Sequence, residues 1–364
     1  MSNDRVLMIA NSVYQLMTAV HIRQNLLPEC QADLIVTDIT PSLSGCAERI
    51  RQTSLFHRVI YAVIGETNRK IGGGEEELSA VFRDIPQWLQ WSLSEELDDY
   101  SQIYFSNYDL FIRMLACRYY HSPCEFLCYE DGFSSYVIDF LRPDRALVNR
   151  HAEGRKIKDK VKRVLLYEPR LAMRRDGLPN CAIPKIDPDD RKLRERLNYI
   201  FDYRRPDWCA DFLFLEQSFR AEKIKTNDLE LMEECRQTVG SARFAVKPHP
   251  RNPENLPLQR GLTRKIAGDA PWELFLLNEQ PREITVITVC SNAALSSRLL
   301  FGMDIHTVML YRLFQGKVLW KEDDRLAQYL RRFRRQFAGK QYYVPETVYE
   351  LRSILGYLGG QNEG

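Results

Sequence analysis

The sequence predicts an α/β protein of two Rossmann-like domains facing each other across a cleft. Three observations predict it. Apolar strand-like runs alternate with helical apolar spacing from the first residues. The alternation breaks once, at the proline-rich stretch "DGLPNCAIPKIDPDD", and then restarts. A chain of 364 residues is also longer than one hydrophobic core usually serves.

In the first half, residues 5–10 ("RVLMIA") read as a buried strand, "NS" as a turn, and residues 14–27 as a helix with apolar positions on one side. Strands follow at 32–38, 58–64, 101–107 and 124–130, separated by helical patterns at 44–56, 85–97 and 110–120. Strands that alternate with helices in this way call for a parallel sheet covered on both faces. The run "IGGGEEE" (71–77) reads as a loop. Residues 155–175 are rich in Lys and Arg, and with the proline stretch they mark the expected boundary: domains at 1–180 and 190–364. In the second half a helix at 189–201 precedes a strand at 211–218 and a helix at about 227–238. A strand then runs into "KPHP" at 243–250, with a helix at 271–278, a strand at 284–290 and a helix at 291–302.

Composition excludes several classes. The chain is 45% apolar and 27% charged, enough for a sizeable core, and its formal charge of +2 argues against a nucleic-acid partner. Nine cysteines lie without a CxxC pair, several in apolar contexts (Cys117, Cys128, Cys290), which points to reduced thiols and a cytoplasmic protein. No His or Cys cluster completes "CEFLC", so no metal is expected. The N-terminal apolar run is too short for a signal peptide, and no apolar run reaches the length of about 18 residues that spans a membrane. The first turn, "ANSVYQ", lacks the glycines of a dinucleotide fingerprint, and there is no P-loop.

Ligands of open α/β sheets bind beyond the carboxyl ends of the strands. Three such ends carry unusual chemistry: Glu130-Asp131-Gly132, Lys247-Pro248-His249-Pro250-Arg251, and Ser291-Asn292 opening an apolar helix. Each alone also fits ordinary turn or cap chemistry. Together they supply a carboxylate, an imidazole held between prolines, and a helix N-terminus suited to an anion.

In this set and order the sequence resembles the bacterial sialyltransferases, namely the lipooligosaccharide sialyltransferases of glycosyltransferase family 52 and the capsular polysialyltransferases. They carry an acid-acid-Gly turn, a His-Pro dipeptide and a Ser-Ser/Thr pair at a helix start. The opening "IANSVYQLMTAVHI" is similar to their first strand and helix. One position departs: Asn292 stands where a second hydroxyl is expected, with Ser296-Ser297 one turn further on as the other candidate.

The resemblance implies a two-domain glycosyltransferase B architecture and an inverting transfer from CMP-sialic acid to a hydroxyl of a bacterial surface glycan, with no cofactor. Asp131 is then the general base, with Glu130 as neighbour or substitute, and Gly132 lets backbone approach the sugar. His249, fixed by Pro248 and Pro250, donates to the departing CMP phosphate. Lys247 and Arg251 add positive field, and the helix led by Ser291 and Asn292 holds the same phosphate. Asn11, Ser12 and Gln15 are candidates for sugar or acceptor contacts or form a plain turn and helix cap, and Gln217, in "EQS", is a candidate for the nucleotide. The segment "LAQYLRRFRRQF" (326–337) has an apolar face ringed by arginines. It reads either as a membrane-surface helix serving a lipid-linked acceptor at the inner face of the plasma membrane, or as a helix packed on its domain. A homodimer is compatible with the sequence. The alternatives are another donor (a UDP-hexose or CMP-Kdo) and a non-catalytic nucleotide-binding partner in glycan assembly.

Overall fold

The computed structural model describes residues 5–71, 74–139, 158–207, 210–266, 270–316, 324–337 and 341–361. The chain divides into two compact units, Met1–Tyr203 and Arg204–Gly364.

The first unit runs β1 (Arg5–Ala10), α1 (Val13–Asn25), β2 (Gln31–Thr37), α2 (Leu43–Gln52), β3 (Arg58–Ala62), α3 (Ile64–Ile71), α4 (Glu75–Arg83) and α5 (Ile85–Ser92). It continues with β4 (Gln102–Phe105), α6 (Leu110–Arg118), β5 (Glu125–Tyr129), α7 (Ser134–Val137), β6 (Val161–Leu166), β7 (Asn180–Ala182) and α8 (Arg191–Phe201). Its seven strands are parallel in the order β3-β2-β1-β4-β5-β6-β7. This doubly wound order reverses direction between β1 and β4, and the crevice beyond those strand ends is where such sheets take ligands. In β1 every residue after Arg5 is buried, as a strand covered on both faces requires.

The second unit runs β8 (Phe212–Leu215), α9 (Asp228–Val239), β9 (Phe244–Lys247), α10 (Leu256–Gln259), α11 (Trp272–Glu279), β10 (Thr285–Thr288), α12 (Ala293–Phe301), β11 (His306–Met309), α13 (Arg325–Gln336), β12 (Tyr342–Tyr343) and α14 (Val348–Gln361). Its five strands are parallel in the order β12-β11-β10-β8-β9, so the reversal lies between β8 and β10. Phe212, Phe214, Phe244, Val246, Ile287 and Val308 from the sheet pack with Leu351, Leu355 and Leu358 of α14.

At the amino ends of the first sheet, Asp33 is wholly buried and accepts from Arg5, Arg58 and the Tyr100 hydroxyl at 2.8–3.1 Å. Burial pushes its carboxyl up, but the bonds from Tyr100 and Arg58 and the charges of Arg58 and Arg5 bring the net shift down. The strap joins β1, β2 and β3 at the end of the sheet away from the ligand crevice.

Several expectations need correction. The division falls after Tyr203, not near residues 180–190. Helix α8 belongs to the first unit because Leu193, Leu197 and Ile200 are buried there; its segment also bonds α1 and α2, Gln24 donating to Asp190 and Arg49 to the Ile200 carbonyl. The basic stretch before the proline break hides a strand, β6, whose exposed Lys162 and Arg163 mask an apolar remainder. Residues 155–157 of that stretch lie outside the described residues. Residues 74–77 of the expected loop open helix α4. Of the two readings of helix α13, packing on its domain accounts for Tyr329, Leu330 and Phe333, which are buried in the second unit. Arg331, Arg334 and Arg335 face solvent. Among the described residues no helix is long and apolar enough to cross a membrane.

Candidate active site

In the first unit, β5 delivers Glu130 and Asp131 to the carboxyl end of the sheet. Gly132 follows with φ of +72°, a left-handed conformation that an L side chain would strain, so backbone geometry already accounts for the glycine. The residues after it close the turn. The Asp131 N–H donates to the Ser135 hydroxyl at 2.8 Å, and the Ser134 hydroxyl donates to the Asp131 carbonyl at 3.3 Å. Asp131 is half-buried, whereas Glu130 is wholly buried.

Glu130 is surrounded by donors. Its Oε1 accepts from the Tyr14 hydroxyl at 2.7 Å; its Oε2 accepts from the Tyr136 hydroxyl at 2.5 Å and the Tyr167 N–H at 2.8 Å. Burial raises the carboxyl to about 7, with these three bonds and the charge of Lys185 pulling the other way. The three tyrosines were not singled out from the sequence. Tyr14 and Tyr136 had local signals, the first within the opening "IANSVYQLMTAVHI" and the second at the end of the segment that closes the acidic turn, whereas Tyr167 had none.

The first βα turn is satisfied from within. Gln15 Oε1 accepts the Asn11 N–H at 2.8 Å, Asn11 Oδ1 accepts from Thr37 at 3.0 Å, and Ser12 caps α1 by accepting the Gln15 N–H at 3.2 Å. Asn11 and Gln15 are buried. These three build the turn and the helix cap, and Tyr14 is the residue of this segment that reaches the acidic pair. One strand away, Asp109 caps α6 by accepting the Ile112 N–H at 3.0 Å, and burial raises its carboxyl to about 6.

In the second unit the end of β8 organises both neighbouring turns. Successive residues of an extended chain point opposite ways, and Glu216 and Gln217 use this. Glu216 Oε2 accepts the His249 N–H at 2.7 Å, beyond β9. Gln217 Oε1 accepts the Cys290 N–H at 2.8 Å, across the reversal point beyond β10. Gln217 is therefore a support for the Ser291 turn, a role different from the expected nucleotide contact. The other oxygen of Glu216 pairs with Arg220, which also pairs with Asp228 at 3.1 Å.

His249 Nδ1 accepts the Arg251 N–H at 3.2 Å, so the ring proton sits on Nε2. Burial first, then the charges of Arg251 and Lys247, lowers the imidazole to about 4. The ring is a neutral N–H donor at neutral pH, not a cation. Arg251 is partly committed, bonding Ser218 at 2.9 Å and Glu222 at 3.2 Å, which reduces the field it can offer. Lys247 ends β9 half-buried, and Pro250 is exposed.

Ser291 Oγ accepts the Ala293 N–H at 3.3 Å at the start of α12. Asn292 makes no cap bond, and both polar atoms of its side chain are shielded from water without a hydrogen-bond partner. A buried amide left unpaired is costly and calls for a partner the protein does not supply. Ser296 and Ser297 do not compete for that place. Both are buried a turn inside α12, and Ser296 donates to Glu273 at 3.1 Å. Of the candidates in this unit, Lys247, His249, Ser291 and Asn292 remain at the carboxyl end of the sheet, with Gln217 supporting them. Among the described residues no group of three or more His, Cys, Asp or Glu side chains could hold a metal ion.

No protein-family model matches the chain, and no curated protein matches it. Solved structures do. UGT89C1 of Arabidopsis thaliana, complexed with UDP, is 12% identical over 98% of this chain and 90% of its own, with a TM-score of 0.52. The same protein complexed with quercetin gives 12%, 98%, 90% and 0.51. An α/β-galactoside α-2,3-sialyltransferase from Photobacterium phosphoreum is 9% identical over 95% of this chain and 99% of its own; its TM-score of 0.49 is too low to argue from. At these identities the likeness concerns fold alone: the chain has the two Rossmann-like domains of the glycosyltransferase B architecture.

Proposed function

We propose that the protein is an inverting glycosyltransferase that moves sialic acid from CMP-sialic acid to a hydroxyl of a bacterial surface glycan. The observation that carries the reading is the chemistry gathered at the carboxyl end of the second sheet. A neutral His249 offers its Nε2–H, and the unpartnered amide of Asn292 lies at the start of α12. Both suit a leaving phosphate, which gains negative charge as the glycosidic bond breaks and is stabilised by preorganised donors.

Asp131 serves as the base that takes the proton of the attacking acceptor hydroxyl. As that oxygen bonds to the anomeric carbon on one face, the bond to the CMP oxygen breaks on the other, and the electron pair leaves with the phosphate. His249 and Asn292 donate to that phosphate while Lys247 adds charge. The acceptor is a glycan, lipid-linked in the simplest version, with the solvent-facing arginines of α13 drawing the enzyme to an anionic membrane surface. The reaction needs no cofactor beyond the donor.

UDP is the competing nucleotide, since UGT89C1 was solved with it on the same fold. Thermal shift with CMP, UDP and GDP separates the readings. Stabilisation by CMP, with slow release of sialic acid from CMP-sialic acid that Asp131→Asn and His249→Ala abolish, supports the proposal. Stabilisation by UDP alone would remove the CMP donor and leave a UDP-sugar transferase. Binding of CMP without turnover on any acceptor would favour a non-catalytic partner.

A further inference from the structure

Glu130 and Asp131 are adjacent, yet their surroundings differ. Both oxygens of Glu130 are occupied by donors from three separate elements: Tyr14 of α1, Tyr136 of α7 and the backbone of Tyr167 beyond β6. A carboxylate in that position is shut off from a substrate hydroxyl. It is well placed to hold the segment on which Asp131 sits.

We propose that Glu130 is a positioning residue, whose buried carboxylate clasps Tyr14, Tyr136 and the Tyr167 amide and so fixes Asp131 at the strand end. The inference rests on the reading of Asp131 as the base. Three donors converging on one carboxyl fit its ionised form, because each needs an acceptor lone pair. A proton on Oε1 would make that oxygen the donor and the Tyr14 hydroxyl oxygen the acceptor. The Tyr14 arm is therefore the one whose direction reverses on protonation, since Oε1 holds a single donor whereas Oε2 holds two.

Three neighbouring groups, Tyr14, Tyr167 and His21, are moved away from neutrality. Burial raises the Tyr14 and Tyr167 hydroxyls far above their ordinary value. His21, which lies 3.1 Å from the Tyr167 hydroxyl, is lowered by burial to about 4. The nearby positive charge is Lys185, engaged with Glu168 at 2.9 Å. Burial places Glu130 itself at about 7, inside the working range.

The sign of the stability effect separates a clasp kept for function from a structural strut. A carboxyl raised in the folded state contributes stability that is present below the ordinary glutamate range and lost as pH rises through about 7. The ionised clasp thus weakens the fold at pH 8, and Glu130→Gln, which carries no charge, removes that loss.

The test is a pair of measurements on the full-length protein. In the first, melting temperatures and tyrosine near-ultraviolet absorbance are followed from about pH 5.5 to 8.5 for wild type, Glu130→Gln and Tyr14→Phe. Wild type should lose stability and change its tyrosine spectrum across this range, and Glu130→Gln should do neither. Melting temperatures of Glu130→Gln and Tyr14→Phe that coincide with wild type at every pH overturn the clasp whatever the protein catalyses. In the second, turnover is measured with CMP-sialic acid, or with a UDP-sugar if that is the donor bound. Glu130→Gln should melt at or above wild type at pH 8 yet turn over at least about tenfold more slowly, with unchanged donor KM. Tyr14→Phe should show a smaller fall of the same kind. Wild-type turnover in Glu130→Gln, or turnover lost only in step with stability at pH 8, overturns the positioning role. Failure of all sialyl transfer by wild type, with the pH response intact, would count against the proposed donor and not against the clasp.

Discussion

Glu216 Oε2 accepts the backbone N–H of His249 at 2.7 Å, so one buried carboxylate at the end of β8 sets the course of the neighbouring turn. The same side chain is paired with Arg220, which leaves that guanidinium dependent on it as well as on Asp228. Removing one partner of a buried ion pair costs about 3–5 kcal/mol, because the other is left uncompensated. Glu216→Ala should therefore destabilise the protein by an amount of that order in urea melts. Nucleotide affinity, measured below the transition, should fall with it because His249 loses its anchor.

The neutral state of His249 has a pH signature. An imidazole lowered to about 4 contributes stability that is present above its ordinary value near 6.5 and lost as pH falls toward about 4. Melting temperature should drop across that interval in wild type, and His249→Gln should flatten that part of the curve. His249→Ala should cut turnover by about 100-fold, the usual cost of one donor to a developing anion.

Asn292 gives the opposite pairing of effects. Its shielded, unpartnered amide burdens the ligand-free fold by about 1–3 kcal/mol. Asn292→Ala should leave the ligand-free protein as stable as wild type or more so, while weakening nucleotide binding about tenfold by calorimetry. Equal loss of stability and affinity would instead make Asn292 part of the helix cap.

If Asp131 is the base, Asp131→Asn should bind the nucleotide as wild type does and lose transfer, since the proposed phosphate donors Lys247, His249 and Asn292 belong to the second unit. A variant that still transfers at the wild-type rate would move the base elsewhere.

Asp33 provides a prediction remote from the site. Its carboxyl is held down by Tyr100, Arg58 and Arg5 against the effect of burial, so its contribution is present above the ordinary aspartate range and lost as pH falls through the lowered value. Asp33→Asn should cost about 3–5 kcal/mol of stability at pH 7, read from denaturant melts, without altering nucleotide affinity.

The alternating strand and helix runs were legible because buried parallel strands are continuously apolar and their helices repeat at a different period. Strand β6 was not, since Lys162 and Arg163 on its outer part read as surface. The three turns could be found because acids, a proline-flanked histidine and a Ser-Asn pair are unusual at strand ends. Their division of labour could not. Glu130 and Asp131 look alike in a sequence, and only burial distinguishes the wired carboxylate from the half-buried one.

By itself, then, the sequence determined the α/β class and the passage from one βα array to a second, and it placed the candidate segments at strand ends, because these depend on local apolar periodicity and residue type. Tertiary structure decided what each chemical group can do. Tyr14 and Glu130 are far apart along the chain, as are Glu216 and His249, and Gln217 and Cys290. Each bond exists only because parallel strands bring distant turns to the same end of a sheet. The proton affinities of Glu130 and His249 follow from that gathering, through loss of water around one and loss of water together with two nearby cations around the other.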